Sequence, residues 1–215
     1  MRMTDFLGEA PIPDDWDHDQ MIARPGTTFK SRLDYALARA KRIGQGSSRV
    51  ALVIEFQGRP TVLKVAKNRK GMAQNLEEVG ILSDGYFSNL DILIPLIDYD
   101  QSGSVSWLQT ELAKPFKTRA ALAAALGCDI MKLLEFSRMI GMGYSEERML
   151  ENGLNDVAPE RRASVLELAT SLDDLGSNST LDLEDCLQPS NWGMYQGRPV
   201  IIDAGFAGSV IPMYR

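Results

Sequence analysis

Three separated segments carry the residues best suited to chemistry. Gly44-Gln45-Gly46-Ser47-Ser48-Arg49-Val50 puts two glycines and two serines into a turn. Glycine lets backbone N–H groups approach clustered negative charge closely, because no Cβ intervenes, and hydroxyls can add donors. Gly44, Gly46, Ser47 and Ser48 are therefore candidate phosphate ligands. Thr61-Val62-Leu63-Lys64-Val65 sets a lysine inside a run of strand formers, where a charged side chain needs a partner. Lys67 is the alternative lysine, at the polar end of the same run. In Val200-Ile201-Ile202-Asp203-Ala204-Gly205-Phe206, a carboxylate ends an apolar strand and a glycine turn follows. That placement suits an oxygen ligand for a hard divalent cation held against phosphates.

The elements that must position these residues follow from periodicity. Residues 1–27, with Pro11, Pro13, Pro25 and Gly26 among acidic residues, are expected to form an extended arm, with Trp16 as its possible anchor. Thr28 suits the cap of a helix starting near Phe29, with Lys41-Arg42 at its far end and Gly44 and Gly46 as the stop. Val50 to Phe56 and Thr61 to Ala66 form a hairpin turned by Gly58-Arg59-Pro60. A helix over Met72 to Leu82 follows, then strands over Ile92 to Ile97 and Ser106 to Leu112. Beyond them the patterning becomes helical over Thr118 to Leu126, Asp129 to Met142 and Pro159 to Leu175, and Gly176 to Thr180 reads as a polar break. A last hairpin covers Trp192 to Tyr195 and Pro199 to Asp203, turned by Gln196-Gly197-Arg198.

Taken in order, the glycine turn, the strand lysine, and Pro189-Ser190-Asn191-Trp192-Gly193 leading to Ile202-Asp203-Ala204-Gly205 resemble the ATP site of a protein-kinase-like fold. The resemblance implies an α+β, two-lobed fold: a small antiparallel-sheet N-lobe over residues 28–113 and a truncated helical C-lobe over residues 114–215. It implies ATP and Mg²⁺ as cofactors. Lys64 would pair with a helix glutamate to fix the α- and β-phosphates; Glu78 is the candidate and Glu77, one residue round the helix, the runner-up. Asn191 and Asp203 would hold metal. Thr110-Glu111-Leu112-Ala113 resembles a hinge, with backbone groups of Glu111 and Ala113 contacting adenine and Thr110 guarding the rear pocket. Small kinase-like proteins of microbes and phages are the form it resembles, and Lys67 to Asn75 is similar to phage or mobile-element versions.

The sequence departs from that pattern in three places. Arg49 stands where a third glycine is usual. The catalytic aspartate, five residues before the asparagine, falls on Cys186, with Asp185 one residue further away. Leu183 and Glu184 occupy the places of the usual His-Arg. A one-residue bulge would bring Asp185 into the site to orient and deprotonate an acceptor hydroxyl, whereas Cys186 lacks an evident activating partner. Only Ala207 to Arg215 follow Phe206 in this sequence, so a form without the activation segment and substrate-holding helices of an ordinary protein kinase is expected.

Composition narrows the alternatives. The chain has 215 residues, 44% hydrophobic, with a net charge of −6. Without a basic excess, non-specific nucleic-acid binding is not expected. The basic residues around the glycine turn (Arg39, Lys41, Arg42, Arg49) and after Lys64 are expected to be solvated faces flanking the phosphate site. Two cysteines, Cys128 and Cys186, give no disulfide framework or structural zinc set. The single histidine, His18, lies in the acidic arm before any folded pattern, and a Ser-His-Asp or Cys-His mechanism would have to recruit it from there. With no signal peptide or membrane-spanning run, a soluble cytoplasmic protein is expected. Three readings remain open: an ATP-dependent kinase acting on a protein or small-molecule hydroxyl, a pseudokinase working as a binding module for a protein partner, and an unrelated α+β interaction protein.

Overall fold

The computed structural model describes residues 17–21, 27–205 and 210–214; Trp16 and Phe206 lie outside them. Thr28 caps helix α1 (Phe29–Arg39), its hydroxyl accepting from the Ser31 N–H while Ser31 answers the Thr28 N–H. A five-stranded antiparallel sheet follows: β1 (Lys41–Gln45), β2 (Arg49–Phe56), β3 (Arg59–Ala66), β4 (Leu96–Tyr99) and β5 (Trp107–Glu111), in the spatial order β1-β2-β3-β5-β4. Helix α2 (Arg69–Ser83) lies between β3 and β4 in the chain. Residues 41–45, expected to end the first helix, are thus a strand; their partner on β2 overrides their weak strand propensity. The β2–β3 turn is two residues, Gln57 and Gly58 at φ 53° and 74°, not Gly58 to Pro60. That positive-φ pair matches the twist of the flanking strands.

Alternation along β2 and β3 builds two different faces. Val50 stands opposite Val65, Leu52 opposite Leu63 and Ile54 opposite Thr61. This apolar face packs with Trp107, Ala36 of α1 and Met21. Arg49 opposite Ala66 and Ala51 opposite Lys64 make up the other face. Each long cation therefore sits across from an alanine, which leaves it room to reach α2.

Part of the expected arm belongs to this core. Asp17 N–H donates to the Tyr35 hydroxyl at 2.9 Å, His18–Met21 is a 3-10 turn, and Met21 is fully buried. The Ser106 hydroxyl lies between the Met21 carbonyl, at 3.0 Å, and the buried carboxylate of Asp100. Burial would raise the Asp100 pKa, but hydrogen bonds from Ser102 and Ser106 outweigh it and hold the carboxyl below its ordinary value. A depressed carboxyl pKa stabilises the fold above the unfolded value, about 3.9, and that stabilisation is lost as pH falls through the folded value. Asp100→Asn is expected to cost roughly 1–3 kcal/mol at pH 7. In urea titrations its difference from the parent should shrink steadily below pH 4; a difference that is constant with pH would contradict the assignment.

The second group of elements is mainly helical. Thr118, Asp129 and Ser145 cap α3 (Arg119–Leu126), α4 (Ile130–Gly141) and α5 (Glu146–Glu151), each side chain accepting a first-turn N–H. Helix α6 (Arg162–Asn178) packs on α4, and Leu122, Leu126, Leu133, Phe136, Val165, Ala169 and Leu172 form the core. α6 runs through Gly176, expected to break it; the glycine there serves packing, since a Cβ would overlap the Leu183 side chain. A three-stranded sheet, β6 (Lys114–Pro115), β7 (Trp192–Tyr195) and β8 (Arg198–Ile201), completes this part. Residues 92–95 are not in β4: Ile201 N–H donates to the Ile92 carbonyl at 2.7 Å, and Ile94 N–H to the Ile201 carbonyl at 3.1 Å.

The chain thus forms two units. One runs to Val79 and resumes over Leu96–Leu112; the other takes Gly80–Pro95 and continues from Ala113. No helix among the described residues is long and apolar enough to cross a membrane.

Candidate functional site

In the first unit the site is built around the Glu78 carboxylate on α2, which is fully buried. Its Oε1 pairs with Lys64 Nζ on β3, and its Oε2 with Arg49 Nη1 on β2 at 2.5 Å. Lys64 and Arg49 are themselves only 7% and 8% exposed. Of the two glutamates, Glu78 faces the sheet, and Glu77 is half-buried one position round the helix. The structure thus brings Lys64 and Glu78 together. Lys67 has another job, donating from Nζ to the Gly46 carbonyl at 2.9 Å.

No family model matches the sequence, and no curated protein matches it. Among solved structures, that of Rad53 1–466 in complex with AMP-PNP matches at 16% identity, with a TM-score of 0.41, over 76% of this chain and 36% of its own. The chain therefore spans little more than a third of that protein chain.

The glycine turn closes tightly, with Gly46 N–H donating to the Arg49 carbonyl at 3.0 Å. It rests on the start of α2. Lys67 N–H donates to the Ser48 carbonyl at 2.7 Å, and a Cβ on Gly71 would overlap that same carbonyl. Gly71 is therefore glycine for packing. Gly44 and Gly46 differ: a Cβ there would meet Ala51 at 3.6 Å and the Arg49 carbonyl at 3.9 Å, ordinary contacts, and neither has positive φ. The fold itself does not require glycine at either place. Ser47 is exposed, whereas Ser48 is buried with its hydroxyl donating to Gln74 Oε1, so the hydroxyl expected for phosphate serves the turn-to-helix contact.

Thr110 is buried near the end of β5, and its hydroxyl donates to the Glu111 carbonyl at 3.2 Å. The Glu111 carboxylate pairs with Arg59 at 2.7 Å. Ala113 is buried, and the second unit resumes with it.

In the second unit the β7–β8 hairpin brings Asn191 and Asp203 to one end. Trp192 stands opposite Ile201, and Ile202 N–H donates to the Asn191 carbonyl at 2.8 Å. The reason for Asn-Trp-Gly is local. Trp192 is fully buried with its indole N–H on the Cys186 carbonyl at 2.7 Å. Gly193 has no space for a Cβ, which would lie 2.8 Å from Ala113 Cβ and 3.0 Å from Ile202. Asn191 Nδ2 donates to the Asp185 carbonyl at 2.9 Å. With the amide nitrogen committed there, Oδ1 is the atom left to ligate a cation, an orientation set by the neighbouring backbone. Asp203 is half-buried, its Oδ1 accepting from Gly205 N–H at 3.3 Å.

Asp185 and Cys186 begin a 3-10 turn, Asp185–Leu187, followed by a second over Pro189–Asn191. The turn points Cys186 into the core, where burial, with the nearby Asp185 and Asp182 charges, pushes its thiol up to about 12. A thiol so placed cannot act as a base near neutral pH. Asp185, by contrast, is half-exposed. Among the described residues no group of three or more His, Cys, Asp or Glu could hold a metal.

The residue missed by sequence reasoning is Arg49. Its signal was its parity: on β2 it alternates onto the Ala51 side, the side that faces Lys64.

Proposed function

We propose that this chain binds ATP with Mg²⁺ in the manner of a protein kinase and transfers phosphate to a hydroxyl on a protein or small molecule. The observation that carries this reading is the buried Glu78 carboxylate engaging Lys64 across the sheet-to-helix interface. A lysine so fixed presents a defined positive charge to the α- and β-phosphates. The glycines at 44 and 46 support it, since the protein's own packing gives no reason for them. Backbone N–H groups of that turn and the Ser47 hydroxyl would donate to phosphate oxygens. Backbone groups of Glu111 and Ala113 would receive adenine.

Asn191 Oδ1 and the Asp203 carboxylate fit Mg²⁺, a hard cation that takes oxygen ligands and is commonly held by one or two carboxylates plus substrate phosphates. When bound, Mg²⁺ neutralises charge on the β- and γ-phosphates. Asp185, held by its carbonyl to Asn191, would orient the acceptor hydroxyl and take its proton.

A thermal-shift titration with ATP and Mg²⁺ tests this reading. Binding to the folded state alone stabilises by about 2.7 kcal/mol at a hundredfold excess over Kd. The expected result is a metal-dependent rise in Tm that Asp203→Ala abolishes. Gly46→Ala should leave the ligand-free Tm unchanged and reduce the rise. Asp185→Asn should keep the rise and lose turnover; unchanged turnover, or none in the parent, would favour the binding-module reading. No rise at millimolar ATP would overturn nucleotide binding itself.

A further inference from the structure

We propose that Arg49 is a positioning residue that holds α2 on the sheet, so that the Lys64–Glu78 pair is formed before any nucleotide or partner arrives. The contacts stand by themselves; their consequence for ligand affinity rests on the nucleotide-binding reading above.

Arg49 occupies the place where the kinase pattern has its third glycine. Its backbone still does the turn's work, the carbonyl accepting from Gly46 N–H at 3.0 Å. Its side chain does something a glycine could not. The guanidinium reaches α2 and donates to Glu78 Oε2 at 2.5 Å and to Asn75 Oδ1 at 3.3 Å. Asn75, one helical turn before Glu78 and fully buried, passes the connection on, its Nδ2 donating to the Val105 carbonyl at 3.0 Å. Arg guanidinium offers fixed, planar donors, so one side chain can hold a carboxylate and an amide at once. The two oxygens of Glu78 are thereby divided, one to Arg49 and one to Lys64.

Two further contacts hold the same helix from its first turns: the Ser48 hydroxyl on Gln74, and the close seating of Gly71 beneath the Ser48 carbonyl. α2 is thus tied to β2, to the turn before it and to the segment entering β5. A ligand can shift a conformational equilibrium only by its differential affinity for the two states, and a binding-competent state that is rarely populated lowers apparent affinity in proportion. With α2 already held, nucleotide would meet a pre-formed anchor, and the helix would not serve as an on–off switch.

Hydrogen exchange over Asn75–Val79 in the full chain tests this, comparing the parent with Arg49→Gln and Arg49→Lys, with and without ATP and Mg²⁺. The parent should protect these amides without ligand and change little on adding it. Arg49→Gln should exchange about tenfold faster or more, regain protection with ATP and Mg²⁺, and bind them several-fold more weakly. Arg49→Lys should recover part of both. Equal exchange in parent and Arg49→Gln would overturn the proposal, as would a parent helix protected only by nucleotide. Should Arg49→Gln lose its folded circular dichroism, Arg49→Lys decides by the same comparison. If the parent binds no ATP, the functional reading falls and the ligand-free exchange still decides the role of Arg49.

Discussion

Glu78→Ala is expected to remove about 3–5 kcal/mol of folding stability, because it strands two buried cations that the carboxylate now holds. Lys64 and Arg49 are each less than one-tenth exposed, and Glu78 is fully buried. In water such charges would be screened to near irrelevance, but at this depth each loses hydration that the carboxylate replaces. Glu78→Gln should cost less, since it keeps the volume and one oxygen acceptor. Lys64→Met with Glu78→Leu should regain part of the loss, because one buried cation, Arg49, is then left without the carboxylate instead of two. Urea unfolding at neutral pH measures all three. A loss below about 1 kcal/mol for Glu78→Ala would place the group in the weak class of surface ion pairs. The same variants separate stability from function: the double variant should fold yet show no ATP-dependent rise in Tm.

Trp192→Ala is the second large effect, expected at about 3–5 kcal/mol. The side chain is fully buried on β7, and its indole N–H satisfies the Cys186 carbonyl at 2.7 Å. Trp192→Phe keeps much of the packing but leaves that carbonyl unsatisfied, at about 1–3 kcal/mol. Both changes loosen the 3-10 turn that holds Asp185 outward and Cys186 inward. Native-state alkylation of Cys186, read by peptide mass spectrometry, reports this directly. It should be very slow in the parent, where the thiol is buried with its pKa pushed up to about 12. Trp192→Ala should accelerate it more than Trp192→Phe does. Fast alkylation of the parent would contradict the buried placement.

Much of this was legible from alternation and turn chemistry. Lys64 among strand formers, Glu78 preceding Val79 on a helix, and an asparagine and an aspartate flanking a hairpin stand where the sequence places them, and they carry the α+β class; the fifth strand of the sheet is not legible there. The misreadings have physical causes. Lys41-Arg42-Ile43-Gly44-Gln45 carries little strand propensity and is a strand only through its pairing with β2. Ile92 to Ile97 is an apolar run, but Pro95 cannot donate to a ladder, and the chain changes partners there. Gly176 looked like a helix end because the close passage of Leu183 is invisible in local sequence. Arg49 reads as a solvated cation in the sequence because its partner lies 29 residues away on another element.

The discontinuity of the two units bears on any attempt to dissect the protein. A cut after residue 113 follows the change from strand to helix patterning and looks like a natural seam. Yet residues 80–95 belong with the later elements, and Ile92 and Ile94 exchange backbone hydrogen bonds with Ile201. A fragment ending at 113 would carry that segment away from its partner and leave apolar residues such as Leu93 without their native neighbours. Such a piece is expected to aggregate when expressed by itself. Co-expressed with the piece from Lys114 onward, it should be rescued, with Ile201 templating the 92–94 segment in trans.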